Sequence, residues 1–486
     1  MQSWLMDELQ TTDLRDKRLE RRLLKLLESL SQSSTLSIPA ACNDRAEMVA
    51  AYRFFDNEKV DFESVLAPHI DASCQRVAKQ PVALLVQDTT ELDLTRPGQQ
   101  MTGTGPLHQG KRCGALLHPL LAFTTDGTPL GTVYAQAWSR EDRTDKPKLS
   151  TNQRRVACNQ KPLAEKETYR WLETAEQCQA IKAHCPSTQL VMIADRESDI
   201  TQVIDYCNRQ NDFDWVVRGG VERILAKSSR SDESVRVRDA LLDGKIRLEK
   251  QMPIRARVSW GSPSLKQHPS QADREAREIT VTVHAGEVNL NDARRSKQDR
   301  KVEGITVNAV LVSEVDPPEG VQAVEWLLLT SLPIKTKAQI EQIVDYYKQR
   351  WVIELYFKVL KSGCKIESRR FEHMDRFLPA LALYMIVAWR SLYICRVSRT
   401  HEEASCELVY SKAEWQSVWR IVKRKPLPKQ APRLMEMTKI VAQLGGYVNR
   451  KNAGPPGPQT TWIGLQRMHD MATCWLEFGP GAKTCV

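Results

Sequence analysis

The chain has 486 residues, 41% hydrophobic and 27% charged, with a net charge of +10 from 70 basic and 60 acidic side chains. That length predicts two to four domains with room for a packed core, and the excess of cations favours a polyanionic partner without identifying one. The twelve cysteines are scattered singly, with no C-x-x-C pair. This pattern excludes a disulfide framework or zinc site and predicts the reduced thiols of a cytosolic protein.

In chain order, the start carries neither a basic n-region nor an apolar h-region, so no signal peptide is expected. Residues 1–75 predict a small helical domain. Asp13 can cap a helix in which Leu19, Leu23, Leu26, Leu27 and Leu30 form one apolar stripe. Arg15, Arg18, Arg22 and Lys25 line another face, spaced to meet a phosphate backbone. A second helix is expected over 45–55, with Tyr52 and Arg53 near its end. These residues suit a DNA-binding domain, and they equally suit a solvated amphipathic hairpin.

Residues 76–370 then read as an α/β domain. The apolar run 82–86 predicts a buried strand followed at once by Gln87-Asp88-Thr89-Thr90, and 116–123 and 131–138 predict two more strands around a turn at Asp126-Gly127. A Gly- and Lys-rich loop is expected over 103–114, and a basic connector over 146–155 precedes a helix over 164–184. Residues 190–194 predict another buried strand, ending in Asp195-Arg196-Glu197-Ser198-Asp199, and 215–218 predict a further one after a helix. From 221 to 324 the alternating runs 279–283 and 305–310 predict antiparallel strands, separated by polar loops such as 294–301, as a β-rich insertion. Core strand resumes at 326–330. From 371 to 486 the chain is expected to be mostly helical. Its longest apolar run, 377–389, falls short of the roughly 20 residues that span a bilayer, so a buried helix and no membrane contact are expected.

Residues 345–361 predict one uninterrupted helix stopped by Gly363. At 100° per residue it would place Tyr347, Arg350, Glu354 and Lys361 on one stripe. Taken alone, such a stripe is often a solvated face laced with ion pairs. Here Asp88 and Asp195 stand at the ends of two apolar strands, where ligands of α/β sheets gather. Three converging carboxylates repel one another unless cations neutralise them, and hard oxygen donors beside phosphate select magnesium or manganese. Two ions about 4 Å apart would suit an in-line phosphoryl transfer.

These residues resemble the DDE transposases of bacterial insertion sequences, in the branch that includes the Tn-five transposase (IS-four type). The resemblance rests on Asp88 in Gln-Asp-Thr-Thr, Asp195 in Asp-Arg-Glu-Ser-Asp-Ile, and Tyr347, Arg350, Glu354 and Lys361 at the spacing of that branch's signature. Residues 51–54, 165–167 with Trp171, 215–218, 325–331 and 444–447 are similar as well, so the likeness covers most of the chain. It departs in the extreme N-terminus and the insertion loops.

The resemblance implies a ribonuclease-H-like catalytic core with a β-rich insertion, flanked by a helical DNA-binding domain (1–75) and a helical C-terminal domain (371–486) that dimerises, contacts DNA, or both. It implies that Asp88, Asp195 and Glu354 are catalytic ligands of two Mg2+ or Mn2+ ions. It further implies that Tyr347, Arg350 and Lys361 grip phosphates. Arg218 and Trp326 would support the strand end, unless they serve as a structural ion pair and a core tryptophan. Arg15, Arg18, Arg22 and Arg53 complete the expected DNA contacts. The implied activity is cut-and-paste transposition by a homodimer on two DNA ends and a target, in the bacterial cytoplasm at the nucleoid. A catalytically inactive DNA-binding inhibitor is the alternative.

Overall fold

The computed structural model describes residues 3–42, 44–96, 98–108, 111–141, 150–220, 222–225, 235–256, 274–290, 304–450 and 453–480. The loop 294–301 and part of the connector 146–155 lie outside them. The chain divides into two compact units, one of residues 1–146, 184–188 and 351–486, the other of 147–183 and 189–350.

The first unit opens with α1 (Ser3–Glu8), α2 (Lys17–Gln32), α3 (Ile38–Ala41), α4 (Arg45–Phe55) and α5 (Phe62–Val77). Leu23, Leu26, Leu27 and Leu30 of α2 are buried as the stripe predicts. The cap is not Asp13 but Asp16, whose side chain accepts the Arg18 N–H. Asp13 accepts the Arg15 N–H at 2.9 Å, and Arg15 takes the left-handed φ of 54° that turns the chain into the helix. Two carboxylates three residues apart compete for that start, and only the second precedes a helical turn.

Beneath these helices lies an antiparallel sheet built on a long strand. β1 (Val82–Gln87), β2 (Thr90–Asp93), β3 (Gly105–Pro106) and β5 (Pro129–Trp138) each pair with β4 (Cys113–Phe123). The expected 103–114 loop therefore contributes a short strand. A buried polar knot ties α1 and α5 to β5. His69 Nδ1 lies 2.6 Å from Glu8 Oε2, His69 Nε2 accepts the Thr132 N–H at 3.1 Å, and Arg76 Nη1 donates to Glu8 Oε1 at 2.5 Å. Because Nε2 accepts, the imidazole is neutral, and burial indeed pushes its pKa down.

The C-terminal part of the unit begins with α11 (Val352–Lys358) and a π-helical turn over Val359–Gly363. It continues with α12 (Met374–Thr400), α13 (Lys412–Val418), α14 (Leu434–Leu444) and α15 (Pro458–Phe478). The apolar run 377–389 is thus part of a 27-residue helix that is long and apolar enough to cross a membrane by length and composition, with 78% of its apolar window buried inside the protein. Gly445 explains itself sterically: a Cβ there would sit 2.0 Å from the Thr460 carbonyl oxygen, and Gly446 follows at φ +90°. Ten described cysteines are free thiols, most of them buried, and burial pushes Cys74 up to about 11.

In the second unit, α6 (Thr151–Gln160) and α7 (Arg170–His184) precede β6 (Gln189–Ala194), α8 (Thr201–Arg209), β7 (Asp214–Gly219) and α9 (Val237–Leu242). α7 starts six residues later than expected, after two 3-10 turns. β6 and β7 are parallel. Antiparallel β11 (Glu325–Thr330) flanks β7, and β10 (Ile305–Glu314), β9 (Arg277–Leu290) and β8 (Ile246–Ile254) follow in that order. The insertion therefore extends the sheet through β11. Its two-residue alternation buries Ile279, Val281 and Val283 on one face. α10 (Lys337–Gln349) completes the unit.

The stretch 345–361 is not one helix. α10 stops at Gln349, and the Arg350 N–H bonds the Tyr347 carbonyl while that of Glu354 bonds Trp351, each across three residues. Farther on, the Cys364 N–H reaches back five residues to Val359. A tight turn and a wide turn both depart from 100° per residue, so the stripe drawn from Tyr347 to Lys361 does not hold as helical geometry. No Pro or Gly marks the break in the sequence.

Candidate catalytic site

In the first unit Asp88 immediately follows β1 and is half-buried; its Oδ1 accepts the Thr89 N–H at 2.8 Å. Gln87 and Thr89, on either side of Asp88, share a partner. Both are held by the buried His118, at 3.1 Å from Gln87 Oε1 to Nε2 and 2.8 Å from Thr89 Oγ1 to Nδ1. The imidazole therefore fixes the backbone on either side of the carboxylate. Nothing in the sequence spacing signals His118.

Glu354 is half-buried in the first turn of α11, where the aligned peptide dipoles favour a carboxylate. Lys361 sits in the π-helical turn with its Nζ 3.7 Å from Glu367 Oε1. The same oxygen accepts the Asp93 N–H at 3.0 Å, so Glu367 anchors the end of β2 as well as the lysine.

In the second unit Asp195 caps the 3-10 turn after β6, Oδ1 accepting the Glu197 N–H at 2.8 Å. The other acids of its motif are occupied. Glu197 pairs with the nearly buried Arg170 at 2.9 Å, and Asp199 pairs with Arg223 at 2.7 Å while accepting the Gly220 N–H. Arg170 and Arg223 come from distant segments, and sequence reading did not find them.

Beside Asp195 the unit brings together Tyr347, Arg350, Arg218 and Trp326. Burial raises the Tyr347 pKa, and the Arg350 and Arg218 guanidiniums offset part of that rise, the latter also by a hydrogen bond. The negative Asp195 carboxylate adds to the upward shift. The phenol thus stays protonated and able to donate. Its ring meets Trp326 edge-on at 5.4 Å. Trp326 is half-buried, not a core side chain, and Arg218 Nη2 donates to the Glu325 carbonyl at 3.1 Å. Arg218 therefore meets a backbone carbonyl as well as the Tyr347 phenol.

Among the N-terminal arginines, Arg15, Arg18 and Arg53 are exposed and Arg22 is half-buried. Arg18 folds back onto Asp16 through two hydrogen bonds of 3.2 and 3.0 Å, and those bonds hold the Asp16 carboxyl down at about 2.

Carboxylate oxygens are the right donors for a hard divalent cation. Among the described residues, however, no group of three or more His, Cys, Asp or Glu is arranged to hold a metal ion. The donor chemistry of Asp88 and Glu354 in the first unit and of Asp195 in the second fits such a cation.

Three families match this sequence: Transposase DNA-binding over residues 1–60, Transposase DDE domain over 169–389, and Transposase Tn5 dimerisation domain over 386–474. A cryo-EM structure of piggyBac transposase synaptic complex with hairpin DNA is similar at 11% identity and a TM-score of 0.31, over 70% of this chain and 52% of that one. The chain spans about half the length of that transposase. With a DNA-binding, a DDE and a dimerisation module in order, the chain belongs to the DDE transposases of the Tn5 type. Its catalytic part is a ribonuclease-H-like α/β core with a β-rich insertion, and helical regions flank it. Transposases of this class use divalent metal ions.

Proposed function

We propose that this enzyme carries out cut-and-paste transposition on the two ends of its own element, as a homodimer in the bacterial cytoplasm. The observation that carries the reading is the grouping of Tyr347, Arg350, Arg218 and Trp326 around Asp195 in one DDE domain. Asp88, Asp195 and Glu354 are the proposed ligands of two Mg2+ or Mn2+ ions. Bound there, the ions would supply Lewis-acid activation of a water or 3′-hydroxyl and stabilisation of the leaving oxygen.

The protein's own residues do the holding. The protonated Tyr347 phenol donates to a phosphate oxygen, and the Arg350 fork donates two N–H bonds to the same phosphate. Lys361 exchanges its contact with Glu367 for a neighbouring phosphate. Trp326, half-exposed and braced by Tyr347, stacks on a base drawn out of the helix. Arg218 steadies the strand end. Arg15, Arg18, Arg22 and Arg53 contact the backbone of the terminal duplex, with Arg18 leaving Asp16 to do so.

Four transfers follow in this reading. Water attacks the phosphorus at the element's end, breaking a P–O3′ bond and freeing a 3′-hydroxyl. That hydroxyl loses its proton and attacks the opposite strand, forming the hairpin as the flanking 3′-oxygen leaves. Water then opens the hairpin by breaking its P–O3′ bond, and the regenerated 3′-hydroxyl attacks a target phosphodiester as the target strand's 3′-oxygen leaves. Gel analysis of a labelled terminal duplex with magnesium tests the sequence of products. A nick followed by a hairpin supports it; binding without any product supports the inhibitor reading.

A further inference from the structure

The C-terminal module contains a basic loop that the catalytic reading leaves unused. Between Glu414 and Glu436 there is no acidic residue, while Arg420, Lys423, Arg424, Lys425, Lys429 and Arg433 fall within that interval. All six are exposed. Arg433 pairs with Glu403 at 2.7 Å; among the described residues no ion pair engages Lys423, Arg424, Lys425 or Lys429.

The loop is built, not merely charged. Val422, Leu427 and Ala431 pack inward against the apolar cluster of Trp415, Val418, Leu434 and Met437. The Trp419 indole N–H donates to the Pro426 carbonyl at 3.0 Å, and Arg420 Nη1 donates to that of Lys425 at 3.1 Å. Arg424 takes a left-handed φ of 54°, and Lys423 lies 5.9 Å from the Trp419 ring. The Cys406 N–H bonds the Pro432 carbonyl at 2.9 Å, closing the base. Prolines 426, 428 and 432 limit the freedom of the unfolded chain. Apolar side chains thus anchor the loop while its cations project to solvent in a fixed constellation.

We propose that this loop is a duplex-DNA contact, so that the module matched as a dimerisation domain also binds the phosphate backbone. Four exposed cations on a pinned loop fit a regularly spaced polyanion, and each phosphate neutralised releases condensed counterions. The groups the loop offers are cations, which meet phosphates and not base edges, so the contact is sequence-independent. The inference rests on the chain acting on duplex DNA, and it adds a contact outside residues 1–60.

The test uses the full-length protein and a mixed-sequence duplex without metal, so cleavage plays no part. Affinity is measured from 50 to 200 mM salt for wild type and for a variant carrying Lys423→Gln, Arg424→Asn, Lys425→Gln and Lys429→Gln. Four lost contacts flatten the slope of log affinity against log salt by about 3 to 4, so wild type loses about 100-fold more affinity than the variant across that range. A second variant, carrying Lys423→Arg, Lys425→Arg and Lys429→Arg, keeps the wild-type slope. Identical slopes for wild type and the neutral variant, with both melting at the same temperature, overturn the proposal. So does loss of binding to anionic lipid vesicles with the DNA slope unchanged, which would assign the loop to a membrane surface. If the neutral variant shows the flatter slope while wild type never cuts its own end, the DNA contact stands and the catalytic reading alone fails.

Discussion

Replacing Glu8 with alanine removes the centre of the buried knot that fastens the N-terminal helices to the sheet. The carboxylate is 2% exposed and engages both His69, which is fully buried, and Arg76, whose guanidinium also lies 4.3 Å over the Trp389 ring. Taking away one partner of a buried ion pair leaves the other desolvated and uncompensated, a cost of about 3–5 kcal/mol. For a body of a few hundred residues each kcal/mol moves the midpoint by about 2–4 °C, so thermal unfolding followed by circular dichroism is expected to shift down by about 6–20 °C. The knot also sets an acid limit. Unfolded, His69 takes up a proton near pH 6.5, whereas burial lowers its pKa in the fold. Its contribution is therefore full above about pH 6.5 and is lost as pH falls below that value. Burial raises the Glu8 pKa, but His69 and Arg76 outweigh it and leave the group below its ordinary 4.5, so its share persists until pH falls below that. A midpoint shift under 2 °C for Glu8→Ala, together with a flat wild-type midpoint from pH 7 to 5.5, would refute this account.

Three further outcomes are expected. Tyr347→Phe keeps the ring against Trp326 and deletes the hydroxyl that meets a charged partner; such a bond contributes about 1.5–3 kcal/mol, so the cleavage rate should fall about 10- to 150-fold with little change in melting temperature. Trp326→Ala should reduce hairpin yield more than nicking, since stacking on a displaced base contributes about 1–3 kcal/mol; equal loss of both products on a gel would count against that role. Gly445→Ala drives a methyl into the Thr460 carbonyl, and sedimentation should show weaker self-association as the packing of α14 on α15 loosens.

Strand ends and burial were legible because they follow local rules. The apolar runs around 84 and 192 predict buried strands with Asp88 and Asp195 just past them, and both strands form there. The stripe on α2 likewise follows from leucine spacing alone. The break at Arg350 was not legible, since a three-residue hydrogen bond and a π-helical turn use ordinary helix-forming residues. Partners distant in sequence were hidden for the same reason. His118 comes from 30 residues beyond Asp88, and Arg170 and Glu367 reach their carboxylate or backbone partners only through the tertiary fold. Nor does spacing show that Arg18 folds back onto the capping Asp16 or that the fork of Arg218 meets a carbonyl. Motif spacing survives such breaks because it records which residues occupy the chain, not the angle between them.

The most direct test of catalysis is cleavage of a labelled duplex bearing the inverted repeat that flanks the protein's own gene, with magnesium, by wild type and by Glu354→Ala. The account predicts nicked and hairpin products from wild type, and binding at similar affinity without products from the variant. Cleavage that survives the loss of Glu354 would contradict it.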